Sequence, residues 1–187
     1  DYVMNLSAMK HVRSEKDPLS LMRMIEINII NTKRIIELCI NNKAKKLFCV
    51  STDKASSPIN MMGASKKIME LVLSSYSNKI NISSARFANV LYSDGSLLKG
   101  IQNRFEKKQP IAAPEDIKRF FLTEKEAGVL CLFSTLLGKN NQTFFPNPKK
   151  SMKAITFIKH IEKFLASKSF KIYKCHSEDE ARNSIKK

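Results

Sequence analysis

The sequence predicts an α/β fold: a parallel sheet with flanking helices, followed by a smaller mixed α/β lobe. Three observations predict it. Apolar runs of the buried-strand type recur at 2–6 (YVMNL), 45–51 (KKLFCVS) and 80–87 (INISSARF). Long helix-patterned stretches separate them, and a parallel pair of strands needs a connection of that length. Beyond residue 92 the segments shorten and the regular alternation stops.

Each element has a local cause. Asp17 and Pro18 form an N-cap and first-turn pair, after which Leu19, Met22, Ile25, Ile29, Ile36 and Ile40 mark one helix reaching about Asn42. A loop with Ser56, Ser57 and Pro58 leads to a second helix, about Met61 to Ser77, with Met62, Ile68, Met69, Val72 and Leu73 on its packed face. Past the third strand come a Ser-Asp-Gly-Ser turn at 93–96, a helix near Leu97 to Lys107, and an extended piece around Gln109 to Ala112. A capping box, Thr123 with Glu126 three residues on, starts a helix that ends at Leu137 before Gly138. Gln142 to Phe145 is expected as a strand, Ile155 to Ala166 as an amphipathic helix within the lysine-rich 149–174, and the end from Ser177 as a short polar helix. The expected domains are 1–92, the sheet with its principal motif; 93–150, the smaller lobe; and 151–187, a helical, lysine-rich extension.

Composition narrows the class. A chain of 187 residues that is 43% hydrophobic has enough apolar content for a core, which excludes intrinsic disorder. No apolar run approaches the roughly 20 residues of a membrane span, and the first residues lack signal-peptide order, so a cytoplasmic protein is expected. The net charge of +16 points to an anionic partner. Asparagine, isoleucine and lysine are all abundant, however, which makes the charge weak evidence for nucleic-acid binding. Cys39, Cys49, Cys131 and Cys175 lie far apart and read as reduced structural thiols. His160, Cys175 and His176 lack metal-ligand spacing, so no metal is expected. The five glycines (Gly63, Gly95, Gly100, Gly128 and Gly138) assemble no glycine-rich phosphate-binding turn.

The densest chemical constellation is Ser51-Thr52-Asp53-Lys54, where an apolar strand ends. Ligands of open α/β sheets sit beyond the carboxyl ends of the strands. Spacing alone leaves two readings open: a capped turn with a solvated lysine, or an acid and a base facing a crevice. The longer string STDKASSPINMMGASKKIMELV, at 51–72, resembles the active-site segment of nucleotide-sugar 4,6-dehydratases. These form the polysaccharide-biosynthesis branch of the extended short-chain dehydrogenase/reductase superfamily. The segments at 1–32, 84–98 (SARFANVLYSDGSLL) and 109–128 (QPIAAPEDIKRFFLTEKEAG) resemble the same family, and SEDEAR at 177–182 does so more loosely.

The resemblance implies the C-terminal portion of a Rossmann-like parallel sheet with a substrate-binding lobe, lacking the family's N-terminal glycine-rich part. It implies a reaction on UDP-N-acetylglucosamine with tightly held NAD: oxidation at C4, loss of water across C5 and C6, and return of the hydride to C6. Asp53 is then the acid that protonates the departing C6 hydroxyl and Lys54 the base at C5. Thr52 bonds at the C4 oxygen, and Lys66 holds the nicotinamide ribose. Met62 replaces the superfamily's usual tyrosine and lines the site rather than serving as its base. Asn5, Ser7, Ala8, Lys10, Ser51 and Arg86 fall at cofactor-facing positions, with His11 following Lys10. Asn89, Ser96, Leu97 and Arg119 fall at positions facing the nucleotide sugar. Asn28 matches an asparagine supporting the active-site backbone. Asp116, Thr123 and Glu126 match the frame too, the latter two fully explained by capping. The chain alone is expected to be inactive.

Two alternatives remain. One is a non-catalytic remnant or homo-oligomerisation piece built on the helices near 18–42 and 61–77. The other is a basic nucleic-acid module, disfavoured because Phe48, Phe87, Phe120 and Phe121 are expected in a core or pocket.

Overall fold

The computed structural model describes residues 1–109, 111–114, 118–146, 152–153 and 172–175. In chain order the elements are β1 (Tyr2–Asn5), α1 (Pro18–Ile25), α2 (Asn31–Asn41), β2 (Lys46–Thr52), α3 (Met61–Ser75), β3 (Asn81–Phe87), β4 (Asn89–Val90) and α4 (Leu97–Glu106). There follow β5 (Ile111–Pro114), β6 (Lys118–Arg119), β7 (Phe121–Leu122), α5 (Glu124–Leu137), β8 (Gln142–Phe144), β9 (Met152–Lys153) and β10 (Ile172–Cys175). They divide into two compact units, 1–88 with 125–146, and 89–124 with 147–187.

The first unit is the expected parallel α/β sheet, in the order β1-β2-β3-β8. Alternation along the strands sorts two cores. Leu47 and Cys49 of β2 and Ile82 of β3 pack with Ile36, Cys39, Met69 and Leu73 from the helices of one face. Phe48 and Ala85 point the other way, to Cys131 of α5. The sheet approaches α5 closely because that helix buries small residues, Ala127, Cys131, Ser134 and Thr135. Buried Lys46 donates to the carbonyls of Ser134, at 3.2 Å, and Gly138, where the negative end of the helix dipole favours a cation. Cys39, Cys49 and Cys131 are free and buried, as expected of structural thiols.

The single helix expected from Asp17 to Asn42 is interrupted. A π turn over Glu26–Ile30 separates α1 from α2. The wider turn shifts the phase of the helix face. The buried positions are consequently Met24, Asn28, Thr32, Ile36 and Cys39, whereas Leu19 and Met22, expected inside, are 76% and 67% exposed. Asp17 caps α1 as expected, accepting from the Ser20 N–H at 2.8 Å. On α3, Ile68 is likewise exposed, and Ser65 and Lys66 take the buried face with Met62 and Met69.

In the second unit β4 runs parallel to β7, β5 parallel to β10, and β6 antiparallel to β9. The short strands β4, β6 and β7 escape sequence reading because two residues carry no period. The 109–112 piece is strand 111–114, and 149–174 is not helical throughout, since its ends contribute β9 and β10. A β-branched and aromatic pair such as Ile172-Tyr173 favours a strand. The helices expected at 155–166 and from 177 fall outside the described residues, as do Asp116, His160 and His176.

Candidate active site

The carboxyl end of β2 passes directly into a 3-10 turn over Asp53–Ala55, and Thr52 caps it, its hydroxyl accepting from the Lys54 N–H at 3.4 Å. The Thr52 hydroxyl donates to Asp53 Oδ1 at 3.0 Å, and Lys54 Nζ donates to the same oxygen at 2.9 Å. Acid and base therefore form an ion pair, with side chains about half and a third exposed (47% and 36%). The turn is thus capped, and the Asp53 and Lys54 side chains are partly exposed.

The turn is held from behind by α3. Asn60 caps that helix through the Gly63 N–H at 2.9 Å, and the Glu15 carboxylate accepts from the Met61 N–H at 2.7 Å. A Cβ on Gly63 would lie 2.8 Å from the Lys54 carbonyl oxygen, so only glycine permits this approach. One turn further in, Met62 and Lys66 are 4% and 3% exposed. Lys66 Nζ donates to the Val50 carbonyl at 3.0 Å and to Met69 Sδ at 3.4 Å. Burial lowers its pKa to about 8, against the opposing pull of Cys49 and Glu70. The Cys49 thiol is pushed up to about 12, again chiefly by burial.

Around this centre, Asn5 is buried at the end of β1, and its Oδ1 accepts from the Ser7 N–H at 3.1 Å and the Ser7 hydroxyl at 2.6 Å. Ala8, Lys10 and His11 follow on an exposed loop. Fully buried Asn28 pins that loop, donating to the Met9 carbonyl and accepting from its N–H, both at 2.9 Å, and donating to Ser65 Oγ at 3.0 Å. The asparagine thus joins loop, π turn and α3.

Ser51 and Arg86 are paired across β2 and β3 and share a partner that sequence reasoning missed, Glu70 of α3. The Ser51 hydroxyl donates to Glu70 Oε1 at 2.7 Å, and Arg86 donates through Nε at 2.8 Å and Nη2 at 2.7 Å. Burial opposes the Glu70 charge, but the Arg86 and Ser51 hydrogen bonds outweigh it and hold the carboxyl below its usual range. The available signal was spacing: Glu70 stands four residues after Lys66, on a neighbouring face of one helix.

The remaining candidates belong to the second unit. Asn89 bonds the Phe120 carbonyl through both its backbone N–H, at 3.2 Å, and its side-chain amide, at 3.1 Å. Ser96 caps α4, accepting from the Lys99 N–H at 3.2 Å, and Leu97 opens that helix. Arg119 ends β6 opposite Met152. Phe120 is 43% exposed rather than absorbed in a core, because it lies between two very short strands.

This sheet and motif define an extended short-chain dehydrogenase/reductase type of architecture. The chain belongs to the polysaccharide biosynthesis protein family, whose model matches residues 1–180. It is 32% identical over 164 residues to the capsular polysaccharide biosynthesis protein CapD of Staphylococcus aureus, covering 85% of this chain and 27% of that protein. To the UDP-N-acetylglucosamine 4,6-dehydratase (inverting) of Campylobacter jejuni it is 31% identical over 169 residues, covering 86% and 49% respectively. UDP-glucose 4-epimerases of Rickettsia are further relatives. Among solved structures, Pen from Bacillus thuringiensis superposes with a TM-score of 0.84 at 26% identity, over 94% of this chain and 56% of that one. The dTDP-glucose 4,6-dehydratase DesIV from Streptomyces venezuelae, solved with NAD bound, shares the fold at a TM-score of 0.76 and 16% identity, over 93% and 61%. The chain spans at most about half the length of these two curated relatives.

Proposed function

We propose that this chain carries the acid–base part of an NAD-dependent nucleotide-sugar 4,6-dehydratase, acting on UDP-N-acetylglucosamine in surface polysaccharide biosynthesis. The observation that carries the proposal is the Asp53–Lys54 pair, 2.9 Å apart on the turn that closes β2. Elimination of water across C5 and C6 needs one group to take a proton from C5 and another to protonate the leaving C6 hydroxyl. The pair supplies both once the ammonium proton of Lys54 passes to the Asp53 carboxylate 2.9 Å away, which leaves a neutral amine as base and a carboxylic acid as donor. An epimerase needs neither at those carbons.

Bound NAD supplies the temporary removal of hydride from C4 that acidifies the C5 proton. Two features support assigning the nicotinamide end of that cofactor here: the Lys66 amine lies near the β2 carboxyl end, and the Asn5–Ala8 loop leaves the paired strand β1. They do not supply a glycine-rich turn for the pyrophosphate, since Gly63 is committed to packing on Lys54, and Gly100 and Gly128 lie within helices. We therefore assign none of the five glycines to the pyrophosphate. Thr52 orients the C4 oxygen, Lys54 takes the C5 proton, and Asp53 delivers a proton to the C6 oxygen, which leaves as water. Met62, a thioether without an exchangeable proton, shapes the wall. Asn89, the α4 N-terminus at Ser96 and Leu97, and Arg119 are assigned to the nucleotide diphosphate.

Self-association is part of the proposal. Leu19 and Met22 of α1 and Ile68 and Leu71 of α3 are exposed apolar side chains, as a homo-oligomer face requires. Light scattering tests this directly, and a monodisperse monomer refutes it. The function itself is tested by incubating the complete enzyme with UDP-N-acetylglucosamine and NAD. A 4-keto-6-deoxy nucleotide sugar is expected, and a product with its C6 hydroxyl intact refutes the assignment.

A further inference from the structure

Glu70 is the point at which three elements of the site meet. Its carboxylate is 11% exposed and receives three hydrogen bonds, two from Arg86 of β3 and one from Ser51 of β2. Ser51 immediately precedes Thr52, so whatever fixes its side chain fixes the start of the turn bearing Asp53 and Lys54. The carboxylate takes two of the guanidinium's N–H donors bidentately and still accepts from the Ser51 hydroxyl, so a single group ties β2 and β3 to α3. Glu70 is also one helical turn from Lys66, and it brings negative charge toward an ammonium that burial disfavours.

We propose that Glu70 is the positioning residue of this site: its carboxylate fixes Ser51, and through it the Thr52–Asp53–Lys54 turn, while lending its charge to Lys66. The catalytic meaning of this rests on the dehydratase reading above. Glu70 touches no reacting atom, and its effect runs entirely through Ser51 and Lys66.

The test uses two variants of the chain followed by NMR, Glu70→Gln and Ser51→Ala. Ser51→Ala removes one hydroxyl, leaves the Glu70–Arg86 pair intact, and remains informative even if Glu70→Gln does not fold. Both variants are expected to shift the amide resonances of Thr52, Asp53 and Lys54 and to speed their hydrogen exchange, leaving Tyr2–Asn5 unchanged. The two differ at Lys66, whose ε-methylene titration midpoint should fall in Glu70→Gln and hold in Ser51→Ala. A merely structural carboxylate would not produce that split. Unchanged amides at 52–54 in Ser51→Ala, or an unmoved Lys66 midpoint in folded Glu70→Gln, overturn the proposal. In the complete enzyme, kcat should fall about 10²-fold in Glu70→Gln with KM little changed, the cost of a misplaced catalytic turn. Wild-type enzyme inert toward UDP-N-acetylglucosamine would remove the dehydratase reading, and the NMR arm would still decide the role of Glu70.

Discussion

Lys66 Nζ lies 3.0 Å from the carbonyl oxygen of Val50, tying the buried face of α3 to β2 two residues before the strand ends. A cation is thus held in a nearly solvent-free place, and burial lowers its pKa from 10.5 to about 8. Because the folded value is the lower one, the unfolded chain binds the extra proton between pH 8 and 10.5, and stability rises with pH across that window. Below pH 8 both states are protonated and the cost of burying charge stays constant. Replacing Lys66 with methionine should therefore raise stability at pH 7 by about 1–3 kcal/mol, the upper end being the full shift and the lower allowing for the lost hydrogen bond. The gain should shrink toward pH 10.5. Thermal unfolding of both proteins across that range checks it.

The Glu70–Arg86 pair carries the opposite sign. The carboxyl is held below its ordinary 4.5, so its stabilisation is complete above that pH and is lost as the pH falls through the lower folded value. Glu70→Gln should cost about 1–3 kcal/mol at pH 7, less than a fully buried pair because Arg86 is partly exposed. Wild type and variant should converge in acid. Urea titrations at pH 7 and pH 3 measure the difference.

Gly63 tests the packing of the Asp53–Ala55 turn on α3. With 2.8 Å available between an added Cβ and the Lys54 carbonyl oxygen, Gly63→Ala should displace the turn and destabilise the unit by about 1–3 kcal/mol. Amide shifts at Asp53 to Ala55 should move most. An unaltered turn would mean that the helix yields instead.

Met62 and Asp53 separate wall from machinery. In the complete enzyme Met62→Ala should lower the rate modestly while costing about 2–5 kcal/mol of stability, since a buried side chain leaves a cavity. Asp53→Asn should lower kcat by about 10²–10⁴-fold with little loss of stability, because that side chain is about half exposed. Steady-state kinetics beside thermal melts distinguish the two. Equal rate losses would contradict the division.

Much of the first unit could be read from residue order because its signals are long. β2 is built on the unbroken apolar run Leu47–Val50, Asp17-Pro18 marks the start of α1, and a string of 22 residues from Ser51 carries the resemblance. What escaped has a physical cause in each case. The π turn at Glu26–Ile30, which carries the buried Asn28, leaves no periodic signal, and Leu19 and Met22 are exposed against their spacing. Glu70 was hidden because its partners lie 16 and 19 residues away on two other elements. Ser65 and Lys66 sit on the buried face of α3, whereas the apolar spacing had put Ile68 there. In the second unit two-residue strands leave no pattern to read.

The central claim is that the turn closing β2 performs an elimination across C5 and C6. It is tested most directly by incubating the complete enzyme with UDP-N-acetylglucosamine and NAD in deuterated water and examining the product by NMR. The expected product is the 4-keto-6-deoxy sugar carrying one deuterium at C5, where Lys54 exchanges the proton. A product that keeps its C6 hydroxyl and has no deuterium at C5 would contradict the account.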